Sequence, residues 1–273
     1  MRAVPAAEAA GRRSLRPLRA RLRGGERLLG TFVKSRDPLI AETLACAGYD
    51  LLVADLEHSA LTVGDIEGIV RACDAHGVPV VVRLPPAALG LCGQLLDAGV
   101  TGIQVSDVTS AADAAAARSA VHYPPVGARS LSLSTRAARF GAVPAGEHLT
   151  ASLQSTVLIG QIESAEGVAA LADILASEVF DALFIGPADL SVSLGRPGDA
   201  RHPDVAGPLD AVVAAVTGHG TPLGIFCGSA EEARRWADRG LTLLAISTDL
   251  TMLASAARAS VERLRPSDKG WRA

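Results

Sequence analysis

A chain of 273 residues, 49% hydrophobic and 20% charged, is long enough to bury one barrel-sized core. Its formal net charge of −3 and pI near 6.1 provide no general basic field for a nucleic acid or an anionic membrane, which favours a small-molecule partner. No apolar run reaches the roughly 20 residues that a membrane span needs. Cys46, Cys73, Cys92 and Cys227 lack CxxC or Cys/His ligand spacing and read as reduced core thiols, as expected of a cytoplasmic enzyme.

The first 23 residues contain Arg2, Arg12, Arg13, Arg16, Arg19, Arg21 and Arg23 against a single acid, Glu8, and no apolar signal core follows. Residues 1–14 therefore read as a flexible Arg-rich tail. A short amphipathic helix follows over 14–25, with Leu15, Leu18 and Leu22 at helical spacing and Pro17 in its first turn. From Gly30 onward, apolar runs at 30–34, 49–58, 79–85, 102–108, 155–164, 181–189, 222–228 and 241–247 alternate with segments of helical period. Gly48, Gly77, Gly99, Gly220 and Gly240 each follow the last periodic residue of such a segment, where left-handed C-caps sit.

Continuously apolar strands between helices belong to a parallel sheet covered on both faces, and eight of them close most naturally into a single (β/α)8 barrel over 15–265, with 266–273 as a tail. An open doubly wound sheet would carry a glycine-rich turn after its first strand, which Lys34-Ser35-Arg36-Asp37 is not. The stretch 123–154, rich in Pro, Gly, Ser and Arg, is predicted as a long loop with little apolar period. It precedes the fifth strand, so its base should lie away from the active face.

In such barrels catalytic groups collect at the C-terminal strand ends. The second strand ends in Asp55, Glu57 and His58, the third in Arg83, the fifth in Gln161 and Glu163, and the sixth in Asp189. Glu163 and Asp189 suit a hard cation such as Mg²⁺ or Mn²⁺, although either could instead cap the helix that follows it. Arg83 suits an oxyanion that develops on a bound carbonyl, or else neutralises Asp55 or Glu57. Asp55 could hold the His58 imidazole in one tautomer as a general base. The other histidines read as loop or helix-end residues.

With these residues in view, the chain resembles the HpcH/HpaI aldolase family. The matching stretches are LRARLRGGERLLGTFV, AGYDLLVADLEHSA, VVVRLP, LLDAGVTGIQV, YPPVGAR, LIGQIESAEGV, FIGPADLSVSLG, HPDV, GSAEEARRWADRG and LLAISTD, in order from about Leu15 to Leu264. The resemblance implies a class II, metal-dependent aldolase of 2-oxo acids on a modified TIM barrel, using Mg²⁺ or Mn²⁺, with Co²⁺ as a further option. It also implies a hexamer built as a trimer of dimers, with the last helix exchanged between subunits.

By matching motif, Glu163 and Asp189 would bind the metal, Arg83 would stabilise the enolate, and His58 supported by Asp55 would transfer protons. Gln161, Gly186, Pro187 and Ala188 would line the oxo-acid site, and Glu57 would support it from behind. Two departures stand out: Val105-Ser106-Asp107-Val108 where the family shows Val-Pro-Met-Val, and Gly127-Ala128-Arg129-Ser130 where it shows Gly-x-Arg-Gly. Ser106, Asp107 and Arg129 are therefore candidates for altered specificity. The implied reaction is cleavage or formation of a 4-hydroxy-2-oxo acid through a pyruvate-type enolate. A citrate-synthase-like use of the same enolate on another electrophile is the alternative, and a non-catalytic barrel would leave the charged strand ends without a purpose.

Overall fold

A computed structural model describes residues 16–264. Eight parallel strands pair in chain order and close β8 onto β1: β1 (Leu28–Val33), β2 (Leu51–Asp55), β3 (Val80–Leu84), β4 (Gly102–Val105), β5 (Val157–Ile162), β6 (Ala182–Ile185), β7 (Leu223–Cys227) and β8 (Leu243–Thr248). Every expected strand is present. The five expected glycine caps all adopt positive φ, from 65° at Gly77 to 103° at Gly48.

Side chains alternate across each strand, so a parallel strand buried on both faces contributes to two cores. Leu52, Ala54, Val80, Val82 and Ile103 face the surrounding helices, in the layer that also holds Ile66, Ile69, Leu95 and Val212. Leu28, Phe32, Leu51, Val53, Val81, Val157, Ile159, Ala182, Phe184, Leu243 and Ala245 fill the barrel itself. Continuing that inward period toward the C-terminal strand ends reaches Lys34, Asp55, Arg83, Gln104 and Gln161. One face of each strand thus runs from apolar filling to polar equipment.

The bottom of the barrel is closed by α1 (Leu18–Arg23), whose Leu18 and Leu22 are buried among the inward strand residues. Pro17 precedes the helix rather than occupying its first turn, and Leu15 lies outside the described residues, as do the expected tails up to residue 14 and from 266. Arginines pin this plug. Arg19 Nε and Arg23 Nε donate to Asp181 Oδ1 at 2.7 and 3.0 Å, and Arg21 bonds Glu26 at 2.8 Å and Asp50 at 2.6 Å. That gives the described part of the Arg-rich segment a structural role.

Two expectations need correction. The 123–154 stretch contains a helix, α6 (Ala145–Ser155), which follows Pro144 and buries chiefly His148, so it has almost no apolar stripe to announce it. His148 Nε2 meets the Tyr123 hydroxyl at 3.1 Å, and both residues are buried. Cys46 is exposed, 3.7 Å from His76, whereas Cys73, Cys92 and Cys227 are buried as expected. Burial pushes the Cys92 and Cys227 thiols up to about 11 and about 12.

Among the described residues no helix is long and apolar enough to cross a membrane. Leu22 is fully buried, and truncating a core leucine costs about 2–5 kcal/mol. Leu22→Ala should therefore lower unfolding stability by that amount in a denaturant titration, and an unchanged midpoint would show that α1 does not seal the barrel.

Candidate active site

The β2–β3 register sets Asp55 directly beside Arg83. Both side chains face inward, and Arg83 Nε and Nη2 donate to the two Asp55 oxygens at 3.0 and 2.8 Å. Asp55 Oδ1 also accepts the backbone N–H groups of Glu57 and His58, each at 3.2 Å, and Lys34 Nζ lies 3.3 Å from Oδ2. Burial alone would raise the Asp55 carboxyl, but the Arg83 bonds and charge, the backbone donor and Lys34 outweigh it and hold the group below the usual carboxylate range.

The expected Asp55–His58 dyad is therefore not formed. Asp55 meets His58 only through its backbone, because the in-register arginine takes the carboxylate. The half-exposed imidazole instead lies 3.9 Å from Glu57 Oε2, which is also 3.4 Å from Arg83 Nε. Glu57 is held from its other oxygen by the Ser106 hydroxyl at 2.6 Å.

On the adjacent strand, in register with Arg83, Gln104 Nε2 donates to Gln161 Oε1, and Gln161 Nε2 donates to Glu163 Oε2. This buried relay fixes the Gln161 amide. Glu163 Oε1 accepts the Asp107 backbone N–H at 2.9 Å. Burial, reinforced by the charges of Glu57 and Asp189 and opposed by the hydrogen bonds, pushes the Glu163 carboxyl up to about 7. Asp107, at φ 43°, is exposed at the rim and its carboxylate accepts a bond from Ser164 at 2.7 Å.

Neither metal-ligand candidate caps a helix. Ser164 caps α7 (Ala165–Ala169), and α9 (Pro187–Ser193) begins at Gly186 with no side-chain cap, leaving Asp189 exposed in its first turn. A Cβ on Gly186 would lie 2.3 Å from Glu163 Oε2, so only glycine leaves space beside that oxygen. Among the described residues no cluster of three or more His, Cys, Asp or Glu could hold a metal ion. Glu163 and Asp189 could together offer two carboxylates to a hard cation.

A cleft of about 200 Å³ at the barrel mouth is lined by Phe32, Lys34, His58, Arg83, Gln161, Phe184, Gly186, Pro187, Ala188, Asp189, Phe226 and Thr248. Arg129 is not among them. It pairs with Asp97 at 2.5 Å and stacks 4.4 Å from the Tyr123 ring. Asp97 ends α4 (Cys92–Asp97), so this arginine anchors the long connection at the opposite end of the barrel. The sequence reading missed Lys34, Gln104 and the Phe32–Phe184–Phe226 cluster. Extending the inward alternation of β1 and β4 would have found Lys34 and Gln104, whereas a search for acids and arginines passes over them.

A model of the HpcH/HpaI aldolase/citrate lyase family matches residues 28–256. The chain belongs to that family. It is 38% identical over 250 residues to a hydroxypyruvate/pyruvate aldolase of Delftia acidovorans, covering 91% of this chain and 92% of the relative. It is 35% identical over 236 residues to a 5-keto-4-deoxy-D-glucarate aldolase of Salmonella paratyphi A, covering 86% and 90%. The solved citrate synthase SbnG superposes with a TM-score of 0.82 at 28% identity, covering 90% and 96%. This family membership, with aldolases at such identity over most of the chain, marks the protein as a carbon–carbon lyase.

Glu163 loads the folded enzyme with a pH-dependent penalty. Because folding raises its pKa from 4.5 to about 7, the folded state is relatively favoured below pH 4.5, and that advantage is lost as pH rises through 7. In EDTA-treated protein, Glu163→Gln should be more stable than wild type by about 2–3 kcal/mol near pH 8, with the gap narrowing toward pH 5. A gap independent of pH in denaturant titrations would contradict this account.

Proposed function

We propose that this chain is a divalent-metal-dependent aldolase that cleaves or forms a 4-hydroxy-2-oxo acid through a pyruvate-type enolate. The observation that carries the reading is the Arg83 guanidinium, locked by Asp55 in the cleft wall that also presents Gln161, Gly186 and Asp189. The relatives named as pyruvate-type aldolases support the same chemistry. Glu163 and Asp189 would hold Mg²⁺ or Mn²⁺, with Co²⁺ as a further option, and the cation would supply Lewis acidity toward the keto and carboxylate oxygens of the substrate.

The chain's own groups have separate tasks. Gln161, with its amide fixed by Gln104, and the Gly186–Ala188 segment position the oxo-acid end. In cleavage His58 takes the proton of the 4-hydroxyl, and the C3–C4 bond breaks to release an aldehyde. The electron pair passes into the enolate, Arg83 shares the charge on its oxygen, and C3 then regains a proton. Glu57, beside both Arg83 and His58, steadies the two from behind. Ser106 acts through Glu57, and Asp107 at the rim bears on the shape of the entrance.

Leu250, Leu253 and Val261 of α12 (Asp249–Leu264) are exposed, which supports a homo-oligomer assembled through this helix, with a hexamer as the proposed state. A cytoplasmic location is proposed with it. The match to SbnG favours one second reading, a synthase that uses the same enolate on another electrophile.

Incubation with pyruvate and Mn²⁺ in D₂O should place deuterium in the methyl group, read by NMR. Arg83→Lys should slow exchange about 10²-fold or more, and Asp189→Asn should abolish it. Absence of exchange in wild type would sink the enolate mechanism. Exchange without cleavage of any 4-hydroxy-2-oxo acid would turn the assignment to the synthase.

A further inference from the structure

Among the described residues, four buried side-chain atoms have no hydrogen-bond partner: Glu57 Oε2, Gln104 Oε1, Arg129 Nε and Thr242 Oγ1. The first two belong to the barrel mouth. Arg129 does not, and this residue lines a second cleft.

That cleft has a volume of about 350 Å³. It lies at the end of the barrel opposite the mouth, because Thr101 and Thr156 in its wall immediately precede β4 and β5. Leu96 and Val100 give it an apolar side, and none of the described residues that line it is Asp or Glu. Its hydroxyls are lightly engaged: Ser152 Oγ and Thr156 Oγ1 stand a long 3.4 Å apart.

The tether of Arg129 uses only part of its guanidinium. Asp97 Oδ1 accepts Nη2 at 2.5 Å, and the Tyr123 ring, centred 4.4 Å away, covers one face. The side chain is 3% exposed, so the Nε–H has no recourse to bulk water. A buried donor without an acceptor is costly, and in folded proteins such donors are nearly always matched. Anchoring the long connection explains the Asp97 bond and leaves the Nε–H unexplained.

His148, in the same wall, does not share the positive charge. Burial, and then the charge of Arg129, hold its imidazole below the usual range against the opposing pull of Asp97, and its Nε2 meets the Tyr123 hydroxyl at 3.1 Å. The cleft therefore presents one fixed cation among hydroxyls and a neutral ring.

We propose that this cleft is a second ligand site, remote from the barrel mouth, which takes the oxyanion of a small metabolite, a carboxylate or a phosphate, on Arg129. The hydroxyls of Thr101, Ser152 and Thr156 are the further donors, and Leu96 and Val100 pack against the carbon skeleton. No step of the aldolase reaction passes through this site, and the inference stands independently of that assignment.

Selenate serves as the probe, because it is an oxyanion that anomalous diffraction can locate. Crystals of the EDTA-treated protein soaked in selenate should show a selenium peak within hydrogen-bonding distance of the Arg129 side chain, and calorimetry should show saturable binding. Ala151 lines the cleft from the exposed side of α6, so Ala151→Leu fills it and leaves the Asp97 tether in place. This variant should bind selenate about tenfold more weakly, or worse, at an unchanged melting temperature, as expected when a charge-assisted contact is blocked. Arg129→Gln should lose the binding as well, and if it also melts early through loss of the tether, Ala151→Leu still decides.

Acetate and methyl phosphate, each titrated against bound selenate, separate the two sources of the oxyanion. Displacement by either supports the site and names its class. Displacement by neither, a selenium peak only at the barrel mouth or nowhere, or undiminished affinity in Ala151→Leu would overturn the proposal.

Discussion

The ion pair between Asp55 and Arg83 organises the barrel mouth. It follows directly from register, since these residues are opposite one another on adjacent parallel strands and both face inward. Two charges removed from water are costly unless each is matched in charge and hydrogen bonding, and removing one partner of such a pair costs about 3–5 kcal/mol. Here the matching is thorough. Asp55 is inaccessible to solvent and receives the arginine fork, two backbone N–H groups and the nearby Lys34. The guanidinium is consequently oriented before any ligand arrives, which is the condition under which a fixed cation stabilises developing negative charge most effectively.

The same pair shapes its surroundings. By drawing in the N–H groups of residues 57 and 58, Asp55 forms the turn after β2 and sends the His58 ring outward to the cleft. Glu57, relieved of any bond to the backbone turn, accepts Ser106 and lies between arginine and histidine. Below this layer the inward faces are wholly apolar, down to Leu18 and Leu22 of the plug. The filled interior leaves the polar groups little room to collapse downward, so packing at the bottom supports geometry at the top.

Most of the fold was legible because buried parallel strands read as unbroken apolar runs and their helices stop at glycines that take positive φ. The strand-end rule likewise drew attention to Asp55, His58, Arg83, Glu163 and Asp189. Lateral partnership was not legible. Sequence proximity pointed Asp55 toward His58, three residues away, whereas register delivers a partner from 28 residues away. Arg129 misled for a related reason: its distance from the mouth depends on where a long connection is tethered, and the Asp97 contact that tethers it has no local signature. Helix α6 escaped because its buried anchor is a histidine paired with Tyr123 rather than a stripe of leucines.

Charge at the mouth is not balanced by the protein alone. Among the described residues, Arg83 and Lys34 are the arginine and lysine that Asp55, Glu57, Glu163 and Asp189 meet at the cleft, and the effect appears at Glu163, whose carboxyl is pushed up to about 7 by burial and by two neighbouring acids. A carboxylate retained at such a cost to the folded state calls for a reason outside stability. The glycine at 186 points the same way, since any side chain there would collide with Glu163 Oε2 and close the space beside it. In the proposed aldolase a divalent cation would supply the missing positive charge. The strain and the open space would then be two aspects of one requirement, a buried oxygen kept available for a ligand rather than satisfied by the protein.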